Sequence, residues 1–243
     1  MADSPDREIV PRLEGIETWV FDLDNTLYPP ECRLFDQIDL RMGRFISERL
    51  GIDREAARAL QKAYFVAHGT TLSGLMACHG IDPDEFLHYV HDIDVGAIAP
   101  APALGEALSG LEGRRLVFTN GSVAHAERVL ERLGIATLFE DIFDIKAADY
   151  CPKPQPLAYD RFLARHDVAP ARAAMFEDMS RNLAPAAARG MTTIWLRTSY
   201  HWASVDHPAE GVHHETDDLL AFLRAQARDR PGDRGFPGRA VLR

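Results

Sequence analysis

Two aspartates, Asp22 and Asp24, close the apolar run "TWVFDLDNT" with one leucine between them. An ionised carboxylate is costly to bury unless it is paired, hydrogen-bonded or bound to metal. Two of them at a strand end therefore call for partners elsewhere in the chain. Candidates recur at the ends of later apolar runs: Thr119 and Asn120 after "RRLVF", and Glu177 and Asp178 after "AAMF". Lys153 follows a further run, in "YCPKPQPLAY".

This set of groups suits phosphoryl transfer. One carboxylate can attack phosphorus and form an aspartyl-phosphate. A second, two residues on, can protonate the leaving oxygen and later take a proton from water. Several acidic groups in one place repel one another unless a cation joins them, and Mg²⁺, which favours hard oxygen ligands and retained waters, fits best. A lysine and a hydroxyl then neutralise and hydrogen-bond the phosphoryl oxygens. Backbone N–H groups of "TNGS", at a helix start, add an anion site.

The elements that must hold these groups are legible in outline. Five short β-branched and aromatic runs are expected as buried strands: 18–23, 114–120, 140–145, 173–178 and 192–198. Helical patterns lie between the later ones, at 122–134, 155–166 and 182–190. In the first of these, Ala126, Val129, Leu130 and Leu133 share a face and Gly134 offers a stop. Such alternation implies an α/β fold, a doubly wound, Rossmann-like parallel sheet with helices on both faces, and ligands then bind outside the carboxyl ends of the strands.

Residues 30–100 break the alternation and read as an inserted all-helical cap. Helices are expected over 34–51, 53–69, 71–80 and 82–91. The first has an apolar stripe from Leu34 to Leu50, and the last opens with Asp82 as N-cap, Pro83 at the first position and Glu85 closing a capping box. The core then comprises 15–29 and 101–226, with 1–14 and 227–243 as flexible tails.

The 243 residues carry a formal charge of −10, which disfavours nucleic acid polymers and anionic membranes as partners. Cys32, Cys78 and Cys151 have no CxxC spacing, so neither a disulfide framework nor a zinc site is expected. The absence of an apolar leader and of a membrane-length apolar run makes a cytoplasmic location the expectation. Oligomeric state is open.

In order and spacing, "FDLDNTLY", "TNGS", "KPQP" and "FEDMSRNL" resemble the four motifs of the haloacid dehalogenase (HAD) superfamily of phosphohydrolases. The helical insertion is similar to that family's cap between the first two motifs. Cap phrases such as "AHGTTLSGLM" and "FLHYVHDIDV" resemble the pyrimidine 5′-nucleotidase subgroup. The resemblance implies that Asp22 is the nucleophile and Asp24 the acid/base, the latter also a Mg²⁺ ligand through its backbone carbonyl. It implies that Thr119 and Lys153 hold the phosphoryl group with Asn120 beside them. Asp22 and Asp178 would complete the metal's protein ligands, with Glu177 and Asn182 in support. Glu177 departs from the commonest fourth motif, which has Gly or Asp before Asp178, so its distance from the metal stays open.

The substrate expected is a small phosphorylated metabolite, a pyrimidine nucleoside 5′-monophosphate first. Phosphoglycolate or a sugar phosphate, with a phosphomutase as sibling chemistry, stands next. C–halogen hydrolysis and a non-catalytic phosphate-binding module are the rival classes, and Asp24 argues against the former. The loop 67–75 is the candidate for substrate contacts. His88 and His91, near Asp92 and Asp94, are read as cap packing or surface, and Thr26 as a residue that fixes the loop after Asp24.

Overall fold

The computed structural model describes residues 11–198 and 210–227. Six strands form one parallel sheet: β1 (Thr18–Phe21), β2 (Arg114–Phe118), β3 (Asp141–Phe143), β4 (Ala173–Glu177), β5 (Thr192–Leu196) and β6 (His214–Thr216). Their order is β3-β2-β1-β4-β5-β6. The connectivity reverses at β1, so β1, β2 and β4 open onto the crevice where such sheets bind ligands.

The five expected strands are all present; four are shortened at their carboxyl ends, and the one expected over 140–145 is trimmed at both ends to three residues. β6 was not expected. It is a three-residue edge strand in "HHETDD" whose residues carry no apolar run. The central strands are buried on both faces, which explains their continuous hydrophobicity. Side chains alternate between two cores. Trp19, Phe21, Val117 and Phe176 face one side, and Val20, Leu116, Phe118 and Met175 the other. Phe21 stacks on Phe176 at 4.9 Å, and full burial of such a ring contributes roughly 2–3 kcal/mol.

The first face is covered by α5 (Pro102–Ser109), α6 (Val123–Leu133) and α9 (Leu219–Gln226), and the second by α7 (Pro156–His166) and the short α8 (Ala184–Ala187). α6 has its predicted limits. Ser122 Oγ accepts from the His125 N–H, Gly134 caps the end at φ 77°, and the four predicted apolar residues are buried. The pattern at 182–190 is helical for only four residues.

The inserted segment contains α1 (Leu34–Leu50), α2 (Arg54–His68), α3 (Thr71–His79) and α4 (Pro83–His91), and no strand among them. Phe45 meets Phe86 edge-on at 5.2 Å between α1 and α4. Gly74 lets α3 approach α2 closely, since a Cβ there would lie 2.4 Å from Tyr64 Cγ. Asp82 caps α4 through the N–H groups of Asp84 and Glu85, but the expected capping box does not close, because the Glu85 carboxylate pairs with Arg49 of α1.

Of the expected tails, 1–10 and 228–243 lie outside the described residues. Residues 11–13 are held: the Leu13 N–H donates to Gln226 Oε1 at 2.7 Å, and Gln226 Nε2 donates to the Pro11 carbonyl at 3.0 Å. No helix among the described residues is long and apolar enough to cross a membrane.

Candidate active site

Asp22 follows β1 directly, and its N–H extends the ladder to the Phe176 carbonyl at 2.9 Å. The chain then turns at Asn25, whose φ of 62° suits an asparagine better than most residues. Thr119 follows β2, Glu177 ends β4 and Asp178 comes next, so three neighbouring strands deliver the predicted groups to one place.

Lys153 is the centre of this arrangement. It is 1% exposed, and its Nζ donates to Asp22 Oδ1 at 2.7 Å, Glu177 Oε2 at 2.6 Å and the Phe118 carbonyl at 2.8 Å. Burial alone would lower its pKa, but the carboxylates of Asp22 and Glu177 push it up, and it stays charged. Asn120 fixes the lysine's backbone: Oδ1 accepts from the Lys153 N–H at 2.8 Å and Nδ2 donates to its carbonyl at 3.1 Å. The Asn120 side chain is thus committed to Lys153, beside the phosphate position it was assigned. Thr119 Oγ1 accepts from the Gly121 N–H at 2.9 Å, which takes one of the loop amides expected to bind an anion.

One lysine pairs with two carboxylates, and a third, Asp178, lies beside them. Oxygens of Asp22, Glu177 and Asp178 lie within 4.8 Å of one another. Burial, then repulsion from Glu177, pushes Asp22 up to about 7 despite Lys153, and the same causes hold Asp178 well above the usual carboxylate range.

Asp24 has a separate environment. Its Oδ1 accepts from Tyr28 Oη at 2.7 Å and lies 2.9 Å from His125 Nε2. Burial opposes its ionisation, but the His125 ring and the hydrogen bonds from His125 and Tyr28 prevail and hold Asp24 at about 2. Its carboxylate is not one of the three that cluster, so its backbone carbonyl is the atom that fits the metal role it was given. Thr26 is buried and its hydroxyl has no hydrogen-bond partner among the described residues, so packing holds it in the loop.

A cavity of roughly 200 Å³ lies between these groups and the cap. Its cap wall includes Met42, Phe65, Leu72 and Leu87, with Gly69 and Thr70 from the loop singled out in the sequence. Gln61, buried in that wall, donates to Asp39 Oδ1 at 2.7 Å. Arg181, in the loop after β4, lies 4.3 Å over the Phe65 ring and links core to cap.

The sequence model of the family described as haloacid dehalogenase-like hydrolase matches residues 16–190, more than half of the chain. The chain belongs to the haloacid dehalogenase-like hydrolase family. Among its relatives, phosphate metabolism protein 8 of Saccharomyces cerevisiae (strain ATCC 204508 / S288c) is 29% identical over 163 residues, covering 62% of this chain and 48% of that protein. The chain thus spans about half the length of its yeast relative. The HAD phosphatase of Thermococcus onnurineus superposes with a TM-score of 0.60 at 19% identity, over 86% of this chain and 96% of that one. The HAD hydrolase YfnB of Bacillus subtilis, solved bound to magnesium, gives 0.56 at 15% identity, over 87% and 98%. These two likenesses establish the fold.

The residues present in this HAD-like hydrolase fit a divalent cation. Three buried carboxylates supply hard oxygen donors, and the buried Asn182 Oδ1, on the cavity wall, has no partner among the described residues. That is the environment an ion with its waters completes.

Two histidines of the site were not assigned to it from sequence. His125 was visible only as one residue of the predicted helix 122–134. His91 was noticed with His88, but only His91 reaches the core, where its ring stacks on His125 at 4.5 Å. Burial, then the neighbouring His125, lowers His91 to about 3, so it is neutral. His88 is exposed, and Asp92 pairs instead with Arg41 at 3.1 Å.

Proposed function

We propose that this HAD-like hydrolase is a Mg²⁺-dependent phosphomonoesterase that works through an aspartyl-phosphate on Asp22. The observation that carries this is the different fate of two carboxylates two residues apart. Asp22 shares Lys153 with Glu177 and belongs to the acidic group, whereas Asp24 is held apart by His125 and Tyr28.

In the first step a carboxylate oxygen of Asp22 attacks phosphorus, the bond to the leaving oxygen breaks, and that oxygen takes a proton from Asp24. The substrate's phosphoryl charge beside Asp24 raises its pKa, the direction this transfer needs. In the second step water attacks phosphorus, gives its proton to Asp24, and frees Asp22. Lys153 and Thr119 meet the phosphoryl oxygens, and Asn120 keeps Lys153 in place. Asp22, Asp178 and the Asp24 carbonyl would hold Mg²⁺, with Glu177 and Asn182 nearby. When bound, the ion neutralises charge on the phosphoryl group and relieves the repulsion among the carboxylates.

The substrate is a small phosphorylated metabolite, a pyrimidine nucleoside 5′-monophosphate in the first instance. The sequence texture of the cap supports this, as does a cavity wall that joins apolar surface to the Gln61–Asp39 pair, suited to a flat group with a polar edge. A phosphate-release panel with Mg²⁺ tests it. UMP and CMP should turn over faster than AMP, GMP, phosphoglycolate and sugar phosphates. Preference for phosphoglycolate would overturn the nucleotide assignment and leave the phosphatase assignment standing.

A further inference from the structure

Helix α6 and its N-cap carry Ser122, His125, Arg128 and Arg132 at intervals of three and four, hence along one face. That face binds the segment by which the chain returns from the cap. Ser122 Oγ lies 3.0 Å from His91 Nδ1, Arg128 donates to the carbonyls of His91 and Ile93, and Arg132 donates to that of Gly96. In the middle of this contact the His91 ring lies on the His125 ring, with 10° between their planes. His125 is 1% exposed, and its Nδ1 has no partner among the described residues, so stacking and the Nε2 contact to Asp24 Oδ1 orient the ring.

The consequence falls on Asp24. Tyr28 Oη and His125 Nε2 both meet Oδ1, which leaves Oδ2 as the oxygen free to carry a proton. Oδ2 points toward the loop after β2. A Cβ built on Gly121 would lie 3.8 Å from Asp24 Oδ2, 3.4 Å from His125 Cδ2 and 3.2 Å from Thr119 Oγ1. Gly121 thus sits among the Asp24, His125 and Thr119 side chains, where an added methyl would press on the Thr119 hydroxyl.

We propose that His125 is the positioning residue of Asp24 and that His91 of the cap holds His125 in register. The proton donor is then correctly aimed when the cap's return segment is seated on α6. This rests on Asp24 as acid/base. The chemistry is unchanged: one proton passes from Asp24 Oδ2 to the leaving oxygen, and one returns from water.

The test compares p-nitrophenyl phosphate, whose leaving group needs little protonation, with phenyl phosphate, whose leaving group needs it. His125→Phe keeps the ring and its stacking but has no N–H. Its kcat/KM should fall by about 30-fold or more on phenyl phosphate and by less than about 3-fold on p-nitrophenyl phosphate, the divergence that loss of general acid catalysis produces. His125→Gln, which keeps an N–H donor, should recover part of the loss. His91→Ala should diverge in the same direction and less steeply. Asp24→Asn is measured beside them. If Asp24→Asn separates the two esters and His125→Phe lowers both equally, the positioning role is overturned and the acid/base role stands. If Asp24→Asn lowers both equally, the acid/base assignment itself falls. Should His125→Phe fail to fold, His125→Asn, too short to meet Oδ1, is read in the same way.

Discussion

Asp22→Asn should abolish turnover and stabilise the metal-free protein at once. Asp22 is raised from the ordinary 3.8 to about 7 by burial and by Glu177, so ionising it in the fold instead of the unfolded chain costs on the order of 4 kcal/mol at ~1.36 kcal/mol per pKa unit. The attraction of Lys153 is already contained in that value, but the asparagine NH₂ needs an acceptor that the carboxyl did not, which returns part of that gain. A net of about 1–3 kcal/mol at pH 8 remains, a rise of roughly 2–12 °C in Tm for a chain of this size. A raised folded pKa means that the folded protein holds the extra proton between pH 3.8 and about 7. Wild-type stability therefore falls as pH rises through that window, and the advantage of Asp22→Asn grows from small near pH 4 to full above about 7. Thermal melts of both proteins in EDTA across this range, with phosphate release measured in Mg²⁺, make the assay. Turnover should drop at least about 10³-fold. A variant less stable than wild type at pH 8, or one that still turns over, would refute the assignment of Asp22 to a crowded, nucleophilic position.

Lys153→Met strands Asp22 and Glu177 without their cation and should cost about 3–5 kcal/mol in urea unfolding of the metal-free protein, along with activity. Mg²⁺ should raise Tm more at pH 8 than at pH 5, since it relieves repulsion present only once Asp22 ionises; equal gains would count against the three-carboxylate site. EDTA should abolish hydrolysis of every phosphate ester, and a rate unchanged in EDTA would contradict the Mg²⁺ assignment. Gly74→Ala should lose roughly 1–3 kcal/mol by pushing α3 off Tyr64, and with it raise KM by displacing the loop at Gly69–Thr70.

The residues that the fold gathers into the candidate site were largely legible in the sequence because buried parallel strands are written as unbroken apolar runs. A polar residue that ends such a run marks the strand's exit, which is how Asp22, Thr119 and Glu177 could be read together; Lys153, in a loop well beyond β3, was placed with them by its motif. What escaped depends on rotation about helices and on contacts between distant segments. His125 meets Asp24 across 101 residues of chain, and nothing local to "SVAHAERVL" says that its ring turns toward the site. His91 reaches His125 only because α4 ends over the start of α6. Asn120 has the right place, but its side chain is spent on the Lys153 backbone, a choice set by a loop 33 residues away. β6 lacks any apolar signal, since an edge strand of three residues buries little. Glu85 had a suitable local partner, and a tertiary one, Arg49, took its place.

The account turns on a covalent bond between Asp22 and phosphorus. Acid quenching during turnover, borohydride reduction and peptide mass spectrometry locate an aspartyl-phosphate directly. Reduction should convert residue 22, and no other aspartate, in a substrate-dependent manner that Asp22→Asn eliminates. Finding no reduced residue during steady turnover, or finding it at Asp24 or Asp178, would contradict the account.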